Sequence, residues 1–438
     1  MTANGSGGGV EVLTFGCRLN LVESEAMRRA ALAQGRRNLV IVNSCAVTAE
    51  AERQACQAIR RIKRERPEAE IIVTGCAAEI GPSKFAAMPE VSRVIGNAVK
   101  TDPAVWSSVS GEGAPAKAES SSHVLNGDVE GHTRAFLAVQ TGCNHRCSFC
   151  VIPYGRGSSR SATPADIIRA AVRLSEKGFR EIVLTGVDLT SYGADLRGGP
   201  ALGELVRSIL REAPNLARLR LSSIDCIEAD PALLAAFAEE PRLMPHLHLS
   251  LQSGSDLILK RMKRRHSRDD AIRFCAELRR LRPGIVFGAD LIAGFPTETG
   301  AMFQETLSLI DDCGLTYLHV FPFSARPGTP AARMPQVAAE TVKDRARRLR
   351  EAGGKALRVH LAGQTGKTLR VLTECGGMGH AEDFTRVRVG NVAPSQIIDV
   401  VIGGHDGKAL VTSGNAQSVS SELERASPWS AAGSLAKV

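Results

Sequence analysis

Short β-rich runs alternate with helical patterns along most of the chain, and this alternation constrains the fold more than any other feature. The first part reads β at 10–15, helix at 20–34, β at 39–43, helix at 49–65 and β at 71–74. Strands kept apart by helices cannot pair as hairpins, so the pattern predicts βαβ units around a parallel sheet. Residues 101–132, rich in Gly, Ser, Ala and charge, read as a linker. The alternation then resumes for six units, with strands near 137–141, 182–185, 218–222, 246–250, 286–291 and 318–321, which predicts a barrel or partial barrel. Beyond a basic helix over 343–361, β-rich runs at 368–372, 384–389, 397–402 and 409–412 are separated by Gly-rich turns, as in a small β-barrel. The expected fold class is α/β, with an N-terminal parallel-sheet domain over 9–100, a central partial (β/α)6 barrel over 133–361, a C-terminal β-barrel over 362–414, and flexible ends at 1–8 and 415–438.

Cysteine usage narrows the chemistry. The eleven cysteines are odd in number and scattered over 438 residues, which fits poorly with a disulfide scaffold. The polar start of the chain lacks the apolar core of a secretion signal, and no run of 18 apolar residues occurs, so a cytoplasmic protein without membrane spans is expected. Lys and Arg exceed Asp and Glu by 55 to 46, a surplus that favours anionic partners. Much of it lies in residues 260–282, where ten basic side chains, among them Lys260, Arg261, Lys263, Arg264 and Arg265, face three acidic ones. Nucleic acid phosphates would match such a run; a solvated helix face is the commoner fate of one.

Cys143, Cys147 and Cys150 form a C-x3-C-x2-C triplet in the loop after the first barrel strand. Three thiolates in one loop suit an iron–sulfur cube with one iron left open, whereas His145 could instead complete a Cys3His zinc tetrahedron. The three strands of the N-terminal domain each run into a cysteine, at Cys17, Cys45 and Cys76. Loops at the carboxyl ends of parallel strands share one sheet edge, so these three can converge. Cys56 and Cys275 sit in amphipathic helical patterns and read as small core residues. Other loops on the barrel rim carry Thr185, Gly186 and Asp188, then Ser250 and Gln252, then Gly294, Phe295 and Pro296.

The triplet, with Phe149 before its last cysteine, resembles the radical S-adenosylmethionine enzymes. Together with Cys17, Cys45 and Cys76, the barrel and the terminal β-barrel, it looks like the methylthiotransferases. The segments FGCRLN (15–20), NSCAVT (43–48), FCVIPYGRGSSRS (149–161), HLHLSLQSGSDLILKRMKRRH (246–266) and FSARPGTPAARMP (323–335) most resemble the branch acting on threonylcarbamoyladenosine in tRNA. The resemblance implies two 4Fe-4S clusters, one on Cys143, Cys147 and Cys150 that cleaves S-adenosylmethionine and an auxiliary one on Cys17, Cys45 and Cys76 that holds the sulfur to be transferred. Two S-adenosylmethionine molecules would be used per turnover. It implies cofactor contacts at Phe149, Thr185, Gly186, Asp188, Ser250, Gln252, Gly294, Phe295 and Pro296. The terminal barrel resembles a TRAM-type RNA-binding module in which Arg386 and Arg388 face RNA, although acidic and basic side chains balance from residue 363 onward. Implied partners are a tRNA anticodon loop, an electron donor such as flavodoxin or ferredoxin, and a sulfur or cluster-assembly donor, with the enzyme a monomer. Rival readings are a methylthiotransferase for isopentenyl-adenosine of tRNA or for a ribosomal protein aspartate, and a zinc-stabilised RNA-binding protein without catalysis. The signature of a cobalamin-dependent enzyme, D-x-H-x-x-G, is absent from the N-terminal domain.

Overall fold

A computed structural model describes residues 3–4, 9–107, 125–129 and 131–414. The ends expected to be flexible, 1–8 and 415–438, and the middle of the expected linker lie almost wholly outside them. Two compact units result, residues 1–357 and 358–438.

The first unit begins with a sheet in the order Ala3–Asn4, Val10–Thr14, Leu39–Ser44, Glu70–Gly75, Arg93–Val94, parallel except for its first pair. Leu39–Ser44 lies in the middle of this sheet and is buried at every position, as a parallel strand covered on both faces must be. The helix Ala49–Glu65 starts where the Thr48 side chain accepts from Ala51 N, and its acidic first turn and basic last turn complement the helix dipole. It buries Ala55, Cys56, Ala58, Ile59 and Ile62, the one-sided spacing that marks a core-facing stripe.

Six parallel strands form the partial barrel. Arg134–Ala138, Glu181–Thr185 and Arg218–Leu221 belong to one sheet; Ser223–Ile224, His246–Gln252, Val286–Ala293 and Leu315–Pro322 form the next, so the chain passes between them at Ser222. Helices cover the outer face and share its apolar core, in which Cys275 is fully buried. On the inner face lies the helix Arg18–Ala33, whose Leu19 and Val22 pack on Phe136, Ala138 and Val183. The N-terminal sheet and the barrel are thereby one body.

The first barrel strand begins and ends earlier than the sequence suggests, and the reason matters for the site. At Val139 the chain changes partners: Gln140–Thr141 pairs antiparallel with Arg160–Ser161. The triplet loop is thus closed at its base as a hairpin. Both ends of the expected linker are also anchored. Trp106 is fully buried with its Nε1 donating to Lys100 O, and Leu125–Gly127 pairs with Arg134–Ala138.

The second unit is a closed barrel in the order Thr368–Glu374, Met378–Ala381, Arg386–Arg388, Leu410–Thr412, Ile397–His405. Met378–Ala381 was not expected, because its Gly residues read as a turn. Gly379 is required there: a Cβ on it would lie 2.5 Å from Val371 Cγ1 and 2.6 Å from Leu372 O. No helix among the described residues is long and apolar enough to cross a membrane.

Candidate functional site

The register of the N-terminal sheet aligns Thr14 with Asn43, Asn43 with Thr74 and Ser44 with Gly75, so three strands end level and deliver Cys17, Cys45 and Cys76 to one edge. Two glycines make the approach possible. Gly16, at φ +95°, leaves room for the Cys45 side chain, since a Cβ there would lie 2.7 Å from Cys45 Sγ; Gly75, at φ +97°, passes a Ser44 backbone that a Cβ would meet at 2.3 Å. Asn20 Nδ2 donates to Phe15 O (2.7 Å) and Ser44 O (3.3 Å), while Ser44 Oγ donates to Thr74 O (2.6 Å). The three loops are therefore hydrogen-bonded to each other. Cys17 is exposed; Cys45 and Cys76 are buried.

The triplet loop is held just as tightly. Cys143 N donates to Gly157 O, Cys150 N to Cys147 O, and Ser148 bonds the backbone of Met262 and Arg261. Gly142 has φ +74°, and a Cβ there would lie 1.9 Å from Ser158 O. Gly142→Ala is expected to cost at least the ~1–3 kcal/mol typical of overpacking, and to lower the iron retained by this loop. Thermal unfolding and iron analysis of the purified variant check this; an unchanged midpoint and iron content would remove Gly142 from the argument.

Burial pushes the Cys143 thiol up to about 12 and those of Cys45 and Cys150 up to about 11. Thiols this reluctant to ionise become thiolate ligands when a bound cation stabilises the anion. The donor set argues about which cation. Among the described residues, the groups whose donor atoms all lie within 4.8 Å of one another are Cys143–His145–Asp188, Asp225–Cys226–His266 and His248–Asp290–His319; neither cysteine trio is one. On a single tetrahedral zinc, with Zn–S near 2.3 Å, sulfurs would be about 3.8 Å apart. The trios are spread more widely, as a cube of several irons requires. His145, the suggested fourth zinc ligand, instead directs Nε2 to Asp188 at 2.8 Å.

The segment after the triplet packs against Cys76. Gly155, on the short helix Ile152–Arg156 after the triplet, lies against Cys76: a Cβ on it would be 3.2 Å from Cys76 Cβ. The Cys150 thiol also feels the charge of Cys76.

The rim residues divide. Asp188 Oδ2 lies 3.6 Å from Cys143 Sγ, and Gln140 Oε1 accepts from Val187 N and Asp188 N, both at 2.9 Å. Gln140 thus orients the loop of Thr185, Gly186 and Asp188; sequence reading missed it. Gln252 has φ +70° and is part-exposed beside buried Ser253. Gly294 passes Val342, which a Cβ would approach to 2.5 Å. Phe295 is fully buried and packs edge-on to Phe149 and Phe323, so its ring belongs to the core and its backbone is the part that faces the rim.

The side chains of the basic run divide between the interior and the surface. Arg264 turns inward, bonding Asp225 (2.8 Å) and Ser250 O (2.6 Å) with Nη1 3.8 Å from Cys147 Sγ. Arg261 bonds Thr297, and Arg265 pairs with Asp225 and Glu228. Lys260, Lys263 and Arg265 are exposed. In the second unit Arg386 and Arg388 are both exposed, Arg388 pairing with Asp406 at 2.8 Å. A further polar cluster went unread in the sequence: His248 Nε2 and His319 Nδ1 both approach Asp290 Oδ1, at 2.9 and 3.2 Å, on three neighbouring barrel strands. The two imidazoles hold the Asp290 carboxyl well below its usual range despite burial.

Comparison with known proteins agrees with this arrangement. Residues 137–310 match the Radical SAM superfamily, and residues 9–96 match Uncharacterized protein family UPF0004. A "Threonylcarbamoyladenosine tRNA methylthiotransferase MtaB" of Rickettsia prowazekii is 45% identical over 90% of this chain and 96% of its own length. A protein of the same name from Thermotoga maritima is 38% identical over 74% of this chain and 77% of its own. A "tRNA-2-methylthio-N(6)-dimethylallyladenosine synthase" of Cereibacter sphaeroides is 36% identical over 84% and 87%. Identity of 45% over 90% of this chain and 96% of the Rickettsia protein, with the other relatives matching over most of their length, makes this chain a member of the radical S-adenosylmethionine methylthiotransferase family.

Proposed function

We propose that the enzyme converts N6-threonylcarbamoyladenosine at tRNA position 37 to its 2-methylthio derivative. The observation that carries the tRNA and the threonylcarbamoyl group is the 45% identity to the Rickettsia relative over 96% of that protein, against 36% for the relative named for dimethylallyladenosine. Cys143, Cys147 and Cys150 would hold the 4Fe-4S cluster that serves S-adenosylmethionine, and Cys17, Cys45 and Cys76 the auxiliary one; when bound, the clusters would supply an electron for cleavage of the sulfonium and the sulfur to be transferred.

The chain's own residues supply geometry. Gln140 fixes the backbone of Val187 and Asp188 beside Cys143. The backbone around Gly294 and Pro296 and the loop of Ser250 and Gln252 line the rest of the cofactor site. An anticodon-loop adenosine suits this design, because an unpaired base is drawn into a pocket at lower cost than a base in a duplex. Lys260, Lys263, Arg265, Arg386 and Arg388 are the exposed members of the expected set and are assigned to phosphates. The reaction is cytoplasmic and draws on a flavodoxin- or ferredoxin-type electron donor and a sulfur donor.

The test is anaerobic reaction of the reconstituted enzyme with tRNA carrying threonylcarbamoyladenosine and, separately, isopentenyl-adenosine, followed by nucleoside mass spectrometry. Methylthio product from the first alone is the expected result; product from the second alone would transfer the enzyme to the other tRNA branch. Iron near eight per chain, falling to near four when Cys143, Cys147 and Cys150 are all alanine, is expected for two cubes. Zinc in their place would overturn the assignment.

A further inference from the structure

Beside the loops of Cys17 and Cys45 lies a buried ion group with more positive than negative charge. Arg156, the last residue of the short helix after the triplet, bonds Glu23 at 2.7 and 2.9 Å and Asn20 Oδ1 at 2.5 Å. Lys100 Nζ reaches the same carboxylate at 2.7 Å. These side chains are 3%, 8% and 1% exposed for Arg156, Glu23 and Lys100. Two cations share one carboxylate, and among the described residues no second carboxylate pairs with either within 4.0 Å. One unit of positive charge is left on side chains that are almost wholly buried, which costs several kcal/mol unless an anion stands nearby. The neighbours are the thiols: the Arg156 guanidinium feels Cys76 and Cys17, and Cys45 feels Arg156.

On the reading that these cysteines ligate a 4Fe-4S cube, three thiolates on its 2+ core give one net negative charge, the complement of the surplus. We propose that Arg156, Lys100 and Glu23 are the counter-charge of the auxiliary cluster and raise its reduction potential. A one-electron reduction adds a second negative charge to the cluster, and a fixed positive charge favours that state. None of the three touches the cysteines' sulfurs, so they are positioning residues acting through charge; Arg156 also contacts Asn20, which bonds the loops of Cys17 and Cys45. Arg156 comes from the triplet's own loop region, so part of the auxiliary site's electrostatics is delivered by the barrel.

The test uses the full chain with Cys143, Cys147 and Cys150 replaced by alanine, so that one cluster remains. After anaerobic reconstitution, its midpoint potential is titrated with dithionite and followed by electron paramagnetic resonance. Lys100→Met and Arg156→Met reduce the surplus from one to zero and are expected to shift the midpoint down. Glu23→Gln raises it to two and is expected to shift the midpoint up, while Arg156→Lys stays near the parent. Lys100→Met keeps the Arg156–Glu23 pair, so it reports even where Arg156→Met fails to fold. A purely structural role would not follow the sign of the charge: a flat midpoint, or shifts in one direction for all, overturns the proposal alone. A background protein that binds no iron overturns the ligand assignment and the proposal with it.

Discussion

Cys17→Ala is expected to reduce methylthiolation of tRNA to background while 5′-deoxyadenosine continues to form at close to the parent rate. Cys17 is the informative member of its trio because it is exposed, whereas Cys45 and Cys76 are buried and their replacement perturbs packing. It occupies the position before the helix Arg18–Ala33 without making a side-chain cap, so alanine removes a thiol and little else. The triplet loop keeps its hairpin base at Gln140–Thr141 and Arg160–Ser161 and its bonds to Met262 and Arg261. Cys143→Ala, in contrast, should lose both products together. Nucleoside mass spectrometry and quantification of 5′-deoxyadenosine in the same reaction separate the outcomes. Equal loss of both in Cys17→Ala would mean that the two trios do not divide the chemistry.

That experiment rests on residues readable from sequence, and the reason is geometric. A parallel strand has one carboxyl end, so cysteines just beyond Thr14, Ser44 and Gly75 meet whatever lies between them in sequence. The alternation of strands and helices carries the same information for the barrel. What stayed hidden was governed by contacts between distant residues. Glu23 is 77 positions from Lys100 and 133 from Arg156. A glutamate on a helix is ordinarily solvated, and only the barrel docked against that helix buries it. Arg264 sits in a run that looks like a surface patch, yet Asp225 draws it inward beside Cys147. Met378–Ala381 was read as a turn because its glycines weaken the strand pattern, although Gly379 is what lets the neighbouring strand approach. Charge runs and glycines are thus ambiguous until their partners are known.

The largest loss of stability is expected far from the cysteines, at Glu181. It begins the second barrel strand, while the candidate site lies past the other end, at Thr185. Its fully buried carboxylate bonds Arg220 Nε at 2.8 Å, and Arg218 and Arg134 approach to 3.8 and 4.0 Å. Arg218 and Arg220 are themselves 2% and 0% exposed. Glu181→Gln keeps the shape but leaves these guanidinium groups without the charge they share, and breaking a buried pair in this way costs about 3–5 kcal/mol. Burial alone would push the Glu181 carboxyl up, but Arg220 first, then Arg134 and Arg218, bring it from its ordinary 4.5 down to about 2. Because the folded value is the lower one, its stabilisation is complete above pH 4.5 and disappears as pH falls from there towards 2. Denaturant unfolding of parent and Glu181→Gln should therefore differ most near neutral pH and converge in acid. A difference that persists unchanged in acid would trace the loss to packing. Iron content per folded chain should match the parent, since in a barrel the amino ends of the strands carry stability and the carboxyl ends carry chemistry.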